Sequence, residues 1–228
     1  MSATVAHEIN NPLEAVGNLI YLVKSTPGMP EEAVEQLIVA EQELERVSHI
    51  TKQTLGFYRE TKKAERIDVI ELAEYILRLH RNKLKTKGIR VLREFEECPP
   101  VTGLAGELKQ AISNLISNAA DAVSENGTIC VKISCVEDTQ GIWVHVAIED
   151  DGPGIAAEHV DRLFEPFFTT KTDVGNGLGL WVTKEIIERH RGTIRIDPRS
   201  ESGLGGAIFH LLIPCENAPD PISDQTAR

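Results

Sequence analysis

Two short glycine-bearing segments constrain the fold and the chemistry of this chain more than any other feature. The first reads Glu149-Asp150-Asp151-Gly152-Pro153-Gly154-Ile155, and the second reads Gly175-Asn176-Gly177-Leu178-Gly179-Leu180. The alternating apolar run at 142–148 predicts a strand that ends in the first segment, and the apolar period of 178–187 predicts a helix that begins in the second. Glycine lets a ligand approach the backbone closely, and a helix N-terminus attracts anions. Either segment alone is compatible with an ordinary turn, but together they indicate a nucleotide pocket.

The spacing of these glycines excludes the commonest nucleotide loops. No Lys-Ser or Lys-Thr pair follows the last glycine, as a P-loop requires. The glycines of the second segment fall at every second residue, which differs from the G-x-G-x-x-G spacing of dinucleotide-binding folds. The chain also lacks the His-Arg-Asp catalytic loop of protein serine/threonine kinases. A different kind of nucleotide pocket is therefore expected.

The composition is that of a folded, soluble protein. The 228 residues suffice for one or two domains, and 41% of them are hydrophobic. The formal net charge of −11 argues against nucleic acid or an anionic membrane as the main partner. No apolar run is long enough to span a membrane, and the four cysteines contain no C-x-x-C pair. We therefore predict a cytoplasmic location, with reduced cysteines that serve as packing residues.

Residues 1–64 predict a helical hairpin. Apolar residues recur at spacings of three and four on both sides of a break at 25–30. These seam residues are Ala6, Ile9, Leu13, Val16, Ile20 and Val23 in the first helix and Ala33, Leu37, Ala40, Leu44 and Val47 in the second. Because one pair of helices leaves apolar surface uncovered, we expect the hairpin to dimerise into a four-helix bundle.

His7 is the reactive candidate on this hairpin. It lies one residue off the seam, with Glu8 beside it and Asn11 one helical turn further on. An unperturbed histidine, with a pKa of about 6.5, is mostly neutral at pH 7, and Glu8 could orient the ring so that its other nitrogen attacks. Pro12 predicts a bend in this turn. A zinc-protease H-E-x-x-H helix is excluded because Asn11 stands where the second histidine would be, and an ordinary surface histidine remains the alternative.

Residues 65–215 predict an α/β sandwich, a mixed sheet covered by helices on one face, and residues 216–228 predict a disordered tail. Strands are predicted at 67–69, 89–95, 128–136, 141–148, 192–197 and 207–213, and helices from Leu72 to near Gly88, at 107–123 and at 178–187. The strands at 128–136 and 141–148 should form a hairpin. Within the helix at 107–123, Leu108, Ile112, Leu115 and Ala119 form the expected buried stripe.

Asn114 and Asn118 stand out on that helix because they are four residues apart and therefore share a face. Asparagine is a mediocre helix former, so a pair of amides needs a reason. One reading is a solvated face. The functional reading is a set of oxygen ligands for a hard cation that bridges phosphates.

In this order the segments resemble the catalytic core of a sensor histidine kinase of two-component signalling, over nearly the whole chain. Residues 6–13 resemble the H box of the dimerisation and histidine-phosphotransfer hairpin, and residues 114–119 resemble the N box. The segments 150–154, 164–168 and 175–180 resemble the first glycine box, the F box and the second glycine box. The resemblance implies the fold of the gyrase, histidine kinase and MutL ATPases.

The resemblance also implies roles for individual residues. His7 would take the γ-phosphoryl group of ATP, with Glu8 as its acid/base partner, and Asn11 matches the position that some members use to orient water when they dephosphorylate their regulator. Asn118 would bind Mg²⁺, Asn114 would lie beside the phosphates, and Asp150 would accept the adenine amino group. The other implied nucleotide-binding residues are Gly152, Gly154, Ile155, Phe164, Lys171, Gly175, Gly177, Leu178, Gly179 and Leu180, with 164–176 as a mobile lid.

Three positions depart from the family pattern. Asp151 replaces the usual asparagine of the first glycine box, which should add negative charge near the nucleotide. Ala207 stands where relatives often carry a threonine that contacts adenine. Asp121 replaces a common lysine, which leaves Lys171 and Arg162 as the candidate γ-phosphate cations.

The function implied is an ATP- and Mg²⁺-dependent protein-histidine kinase that phosphorylates His7 and passes the group to the receiver domain of a response regulator. In the related gyrase and MutL ATPases a glutamate activates water. Asn114 occupies the corresponding position here, which favours transfer to His7. The alternatives are a degenerate kinase that acts as a scaffold or phosphatase, and an ATPase motor. Because only six residues precede His7, we expect a fragment of a longer sensor.

Overall fold

The computed structural model describes residues 2–26, 28–56, 63–139, 141–170, 177–200 and 203–215, and for residues 2–11, 14, 42 and 45–56 it describes the backbone alone. The chain forms two compact units, residues 1–60 and 61–228. The predicted tail at 216–228 lies outside the described residues. Among the described helices, none combines the length and the apolar character that a membrane crossing needs.

The first unit contains two long helices, α1 (Ser2–Lys24) and α2 (Glu31–Gly56). Helix α1 continues through Pro12. The two helices pack where the Leu44 side chain lies against Gly17, and Lys24 forms an ion pair with Glu41. Large apolar side chains nevertheless remain exposed on both helices, namely Val16, Leu19, Tyr21, Leu22, Val23, Ile38 and Val39. In this single chain the apolar stripes are thus only partly covered.

The second unit is built on a mixed five-stranded sheet in the order β2-β4-β5-β7-β6. Its strands are β2 (Arg90–Phe95), β4 (Thr128–Asp138), β5 (Gly141–Asp150), β6 (Thr193–Asp197) and β7 (Ile208–Pro214), and a separate pair joins β1 (Glu65–Ile67) to β3 (Val101–Gly103). Strands β2 and β4 are parallel, and the other neighbours are antiparallel. The expected mixed sheet and the expected β4–β5 hairpin are confirmed.

The described part of this unit contains five helices: α3 (Val69–Leu79), α4 (Arg81–Thr86), α5 (Ala105–Ala122), α6 (Ala157–Val160) and α7 (Gly179–Arg189). Asp68 caps α3, because its carboxylate accepts hydrogen bonds from the backbone N–H groups of Ile70 and Glu71. Helix α5 packs against β5 and lies between α3 and α7, while α7 also packs against β6. The helical layer therefore centres on α5.

The core lies between α5 and the sheet. The predicted stripe of α5 is buried, with Leu108, Ile112, Leu115 and Ala119 at most 3% exposed. Opposite it, alternate residues of the three central strands are also buried, including Ile129, Val131, Ile133, Val144, Val146, Ile148, Phe209, Leu211 and Ile213. This alternation fixes which side of each strand faces the helices.

Three details of the expected secondary structure were wrong. The helix expected from Leu72 to near Gly88 is two helices, because the chain turns at His80, whose ring is hydrogen-bonded to the Ser113 hydroxyl 2.8 Å away. The strand expected at 67–69 is Glu65–Ile67, with α3 starting directly after Asp68. Strand β3 and the short helix α6 were not expected; β3 forms by pairing with β1, a contact that local patterns do not report.

Candidate nucleotide site

Asp150 ends β5 in a buried position. It is 3% exposed, and its carboxylate accepts a hydrogen bond of 2.9 Å from the backbone N–H of Gly152. Its own N–H donates to the Ala207 carbonyl at 3.1 Å. Burial raises the pKa of the Asp150 carboxyl, and hydrogen bonds that the carboxylate accepts from the backbone N–H groups of Gly152 and Ala207 oppose that rise. The structure therefore fixes the Asp150 carboxylate, a hydrogen-bond acceptor, at the end of the central strand β5.

The glycines around Asp150 are required by close contacts. A side chain at Gly206 would collide with the Asp150 carboxyl, and one at Gly152 would lie 3.0 Å from the Ala122 carbonyl at the end of α5. Gly154 has a φ of 75°, which favours glycine, and the N–H of the next residue, Ile155, donates to the Pro198 carbonyl at 2.8 Å. The first glycine segment is thus packed against both α5 and the loop before β7.

Asp151 has a structural partner. Its carboxylate accepts a hydrogen bond of 2.7 Å from the backbone N–H of Thr128, the first residue of β4. Thr128 is 5% exposed, so this N–H would otherwise lack a partner in a buried position. The charge expected at this departure from the family pattern is therefore directed toward the start of β4.

The Asn114 amide of α5 faces the beginning of α7. The Asn114 side-chain amide donates to the Gly179 carbonyl at 3.1 Å and lies 3.4 Å from the Thr183 hydroxyl. The Thr183 hydroxyl donates to the same carbonyl at 2.8 Å. Asn118, one turn further along α5, is half-buried. Sequence reasoning missed Thr183, although a threonine four residues after a helix-opening glycine suggests such a bond.

Leu178 precedes the first turn of α7, and its side chain does not cap the helix. Leu178 is buried at 3% exposure, and Leu180 is half-buried. Gly177 has a φ of 65° and lies so close to the Phe167 backbone that any side chain would collide with it. This contact joins the second glycine segment to the F-box segment. Lys171 and Gly175 lie outside the described residues.

The F-box segment carries its own side-chain contacts. The Lys184 ammonium lies 5.9 Å from the centre of the Phe164 ring, so Phe164 contacts α7. The Arg162 guanidinium lies 4.6 Å from the Phe168 ring and its Nε is 3.2 Å from the Glu165 carboxylate. Arg162, one of the expected phosphate cations, thus contacts Glu165 and Phe168 of the F-box segment.

Asp121 pairs with a cation that the sequence did not single out. Lys83 of α4 lies 2.6 Å from the Asp121 carboxylate and 2.9 Å from the Ser117 hydroxyl. This arrangement attaches α4 to α5 on the side next to the amides. No motif marks Lys83, because the pairing depends on how the two helices pack.

His7, Glu8 and Asn11 lie in α1, in the first compact unit. The structure describes only their backbone. In the second unit, the structure joins Asn114 to Gly179 and packs Gly152, next to Asp150, against the end of α5.

The donor set of this region fits a magnesium-bound nucleotide. Asp150 offers a buried acceptor of the kind that an exocyclic amine needs, and Asn118 offers an amide oxygen, a ligand that hard cations accept. The first turn of α7 adds backbone N–H groups and a favourable dipole for phosphate.

Comparison with known proteins agrees with this arrangement. Residues 103–217 match the family model described as "Histidine kinase-, DNA gyrase B-, and HSP90-like ATPase". The chain is 34% identical over 211 residues to sporulation kinase A of Bacillus subtilis (strain 168), covering 91% of this chain and 34% of the relative. It is 32% identical over 217 residues to the sensor histidine kinase ZraS of Escherichia coli (strain K12), covering 94% of this chain and 45% of the relative. The chain thus spans less than half the length of these curated relatives.

A solved structure gives the same result for the second unit. The catalytic domain of histidine kinase ThkA superposes with a TM-score of 0.59 at 31% identity, and the match covers 67% of this chain and 95% of that domain. The family match, these relatives and the geometry around α5 lead to one conclusion: the chain belongs to the histidine kinase, DNA gyrase B and HSP90-like ATPase family and carries the catalytic ATP-binding domain of a histidine kinase.

Proposed function

We propose that this chain is the catalytic core of a protein-histidine kinase that transfers the γ-phosphoryl group of ATP to His7 and then to an aspartate of a response regulator. The observation that carries the proposal is the hydrogen bond from Asn114 of α5 to Gly179 at the start of α7. It joins α5, which carries the two amides, to the start of α7, the helix end that attracts phosphate.

Within this site each described residue has a task. Asp150 accepts a hydrogen bond from the adenine amino group, and its burial excludes competing water. Asn118 is the protein ligand for Mg²⁺, which when bound neutralises phosphate charge. Asn114 holds α7 in place and, as an amide, cannot remove a proton from water, which favours phosphoryl transfer over hydrolysis. Lys171 is the proposed phosphate cation of the second glycine segment.

His7 is the proposed nucleophile. A neutral imidazole attacks phosphorus through one ring nitrogen, while Glu8 binds the proton on the other and stabilises the charge that forms. Alignment and charge neutralisation supply most of the rate in phosphoryl transfer, so the hairpin and the nucleotide domain must approach each other. Asn11 is the proposed residue for dephosphorylation of the regulator.

The hairpin is the proposed dimer interface. Its exposed apolar side chains, which include Leu19, Leu22 and Val39, would be covered in a four-helix bundle. We assign residues 1–64 to this dimerisation and phosphotransfer domain and residues 65–215 to the nucleotide-binding domain. Light scattering at several concentrations should give twice the mass of one chain, and a monomer at high concentration would refute the dimer.

Labelling with ATP tests the kinase activity directly. Incubation with γ-labelled ATP and Mg²⁺ should give a phosphoprotein that acid hydrolyses and base preserves, and His7→Ala should abolish it. His159→Ala is a matched control that should keep the label. Label that survives in His7→Ala would remove His7 as the acceptor, and steady phosphate release without any labelled protein would indicate an ATPase.

A further inference from the structure

Three of the four cysteines gather around one loop that the proposed kinase chemistry does not use. Cys98 lies in the loop between β2 and β3, Cys135 lies in β4, and Cys215 directly follows β7. We call these three residues the thiol cluster. The fourth, Cys130, points to the opposite face of β4, where its thiol lies 3.6 Å from the Glu94 carboxylate.

Each thiol of the cluster contacts a different backbone carbonyl group of the loop. The Cys98 thiol lies 3.4 Å from the Glu96 carbonyl oxygen, and the Cys135 thiol lies 3.7 Å from the Glu97 carbonyl oxygen. The Cys215 thiol lies 3.7 Å from the Pro99 carbonyl oxygen. Since the Glu97 carbonyl belongs to the peptide bond that precedes Cys98, the Cys135 sulfur is positioned next to the Cys98 backbone.

The Cys135 thiol contacts the carbonyl group bonded to the Cys98 nitrogen, and the Cys98 thiol contacts the carbonyl of the residue before that. Two cysteines on such closely adjacent backbone segments can bring their sulfurs together by side-chain rotation. Cys215 differs from them because it is 6% exposed and a small oxidant could reach it only with difficulty. The pair most ready to join is therefore Cys98 with Cys135.

The two thiols are unequal in access. Cys135 is exposed, whereas Cys98 is half-buried. Burial and the neighbouring Cys135 raise the pKa of the Cys98 thiol to about 12, so Cys98 is protonated at neutral pH. Cys135 is consequently the thiol that meets an oxidant in solution, and Cys98 is its resolving partner.

We propose that Cys98 and Cys135 are a redox modification site that forms a reversible disulfide with oxidants of the peroxide class. The Cys135 thiol attacks one peroxide oxygen, the O–O bond breaks, and a sulfenic acid and one water form. The Cys98 sulfur then attacks the sulfenic sulfur, its proton leaves with the hydroxyl as a second water, and the S–S bond closes. Two thiols lose two electrons in total, and one hydrogen peroxide gains them. A dithiol reductant reverses the change.

The disulfide would stabilise the domain without touching the nucleotide site. Cys135 pairs with Val144 across β4 and β5, whereas Asp150 is six residues further along β5, about 20 Å away at the rise of a strand. The bond would close a long loop that includes β3 and α5, which restricts the unfolded chain. We expect the Tm of the oxidised protein to rise by roughly 5–10 °C, with ATP affinity unchanged.

Peptide mapping tests the site in the full chain. The protein is treated with hydrogen peroxide, its free thiols are alkylated, and the unreduced digest is analysed by mass spectrometry. A Cys98–Cys135 linked pair of peptides should appear, lighter than the two free peptides by two hydrogen atoms, and a dithiol should remove it. Cys215→Ser and Cys130→Ala should keep the link, whereas Cys98→Ser and Cys135→Ser should lose it.

Several results would overturn the proposal. They are a link to Cys215 or Cys130 in its place, a disulfide between two chains, and oxidation of Cys135 alone with Cys98 still alkylated. The Tm gives an independent readout that needs no variant. Equal Tm values for the oxidised and reduced wild-type protein would refute the stabilisation, and a Tm rise that persists in Cys135→Ser would assign it to another group.

Discussion

The two adjacent aspartates of the first glycine segment, Asp150 and Asp151, have different hydrogen-bond partners because their side chains point in different directions. Asp150 is buried and bonds to the backbone of its own turn, and Asp151 bonds across to the start of β4. Alternation along an extended chain explains the divergence, since neighbouring residues point to opposite sides. The sequence shows two adjacent carboxylates, and only the fold shows which backbone group each of them binds.

Substitution of the two aspartates should separate ligand binding from stability. Asp150→Asn keeps an oxygen for the Gly152 N–H but replaces the other oxygen with a donor, so ATP affinity should fall about tenfold or more. Asp151→Ala leaves the Thr128 N–H unpaired and should lower the free energy of unfolding by about 1–3 kcal/mol, with ATP affinity nearly unchanged. Calorimetry and thermal unfolding measure the two effects. Equal loss of ATP affinity in both variants would contradict the assignment.

His145 should make the stability of the second unit depend on pH. Burial and the neighbouring His210, 3.0 Å away, lower the pKa of His145. The unfolded chain therefore binds a proton in a pH range where the folded chain does not, so the His145 contribution is complete above pH 6.5 and decreases as the pH falls below it. His80, whose pKa is lowered mainly by burial, contributes in the same direction. Thermal unfolding between pH 5 and 7.5 should show a smaller slope for His145→Gln, and an unchanged slope would refute the role of His145.

At the scale of elements, α5 is the member that positions the site. Its buried stripe faces the sheet, its Asn114 amide faces α7, and its last carbonyls face the first glycine segment. A second connection joins the other ends of α5 and α7, where Arg189 lies 2.7 Å from the Glu107 carboxylate. Glu107 is 5% exposed, and His190 next to Arg189 accepts a hydrogen bond from the Leu104 N–H.

Arg189→Ala should be much more harmful than loss of an ordinary surface ion pair. It would leave the buried Glu107 carboxylate without its cation, and we expect a loss of about 3 kcal/mol in the free energy of unfolding. Lys184→Ala is the matched control on the same helix, because its pair with Glu188 at 3.8 Å is exposed and should contribute about 0.5 kcal/mol or less. Similar unfolding midpoints for the two variants would contradict the importance of the Arg189–Glu107 pair.

Local patterns in the sequence predicted most elements of this fold. The strands at 128–136 and 141–148 alternate in polarity, and helix 107–123 has an apolar period, so their positions were correct to within a few residues. Strand β3 and the turn at His80 were not predicted from the sequence, because each depends on a partner 33 or more residues away in the chain. The same limit applies to the candidate site: motif order selected Asn114 and Asp150 as candidates, but the Lys83–Asp121 pair depends on helix packing.

At the scale of the whole molecule, the chain divides its proposed task between two compact units. One carries His7 on a helical hairpin with exposed apolar side chains, and the other belongs to a family of ATP-binding domains. Separation of nucleophile and nucleotide allows transfer to depend on how the units approach each other. A thiol pair at the far end of the sheet would add sensitivity to oxidants that does not involve the nucleotide site.

Nucleotide binding with and without magnesium tests the central claim most directly, that the Asn118 face of α5 and the glycine segments form one site for ATP and its metal ion. Calorimetry should show that Mg²⁺ strengthens ATP binding to the wild-type protein by about tenfold or more, and that Asn118→Ala removes this gain while Mg²⁺-free affinity stays nearly unchanged. Retention of the full magnesium effect in Asn118→Ala, or no ATP binding by the wild-type protein, would contradict the account.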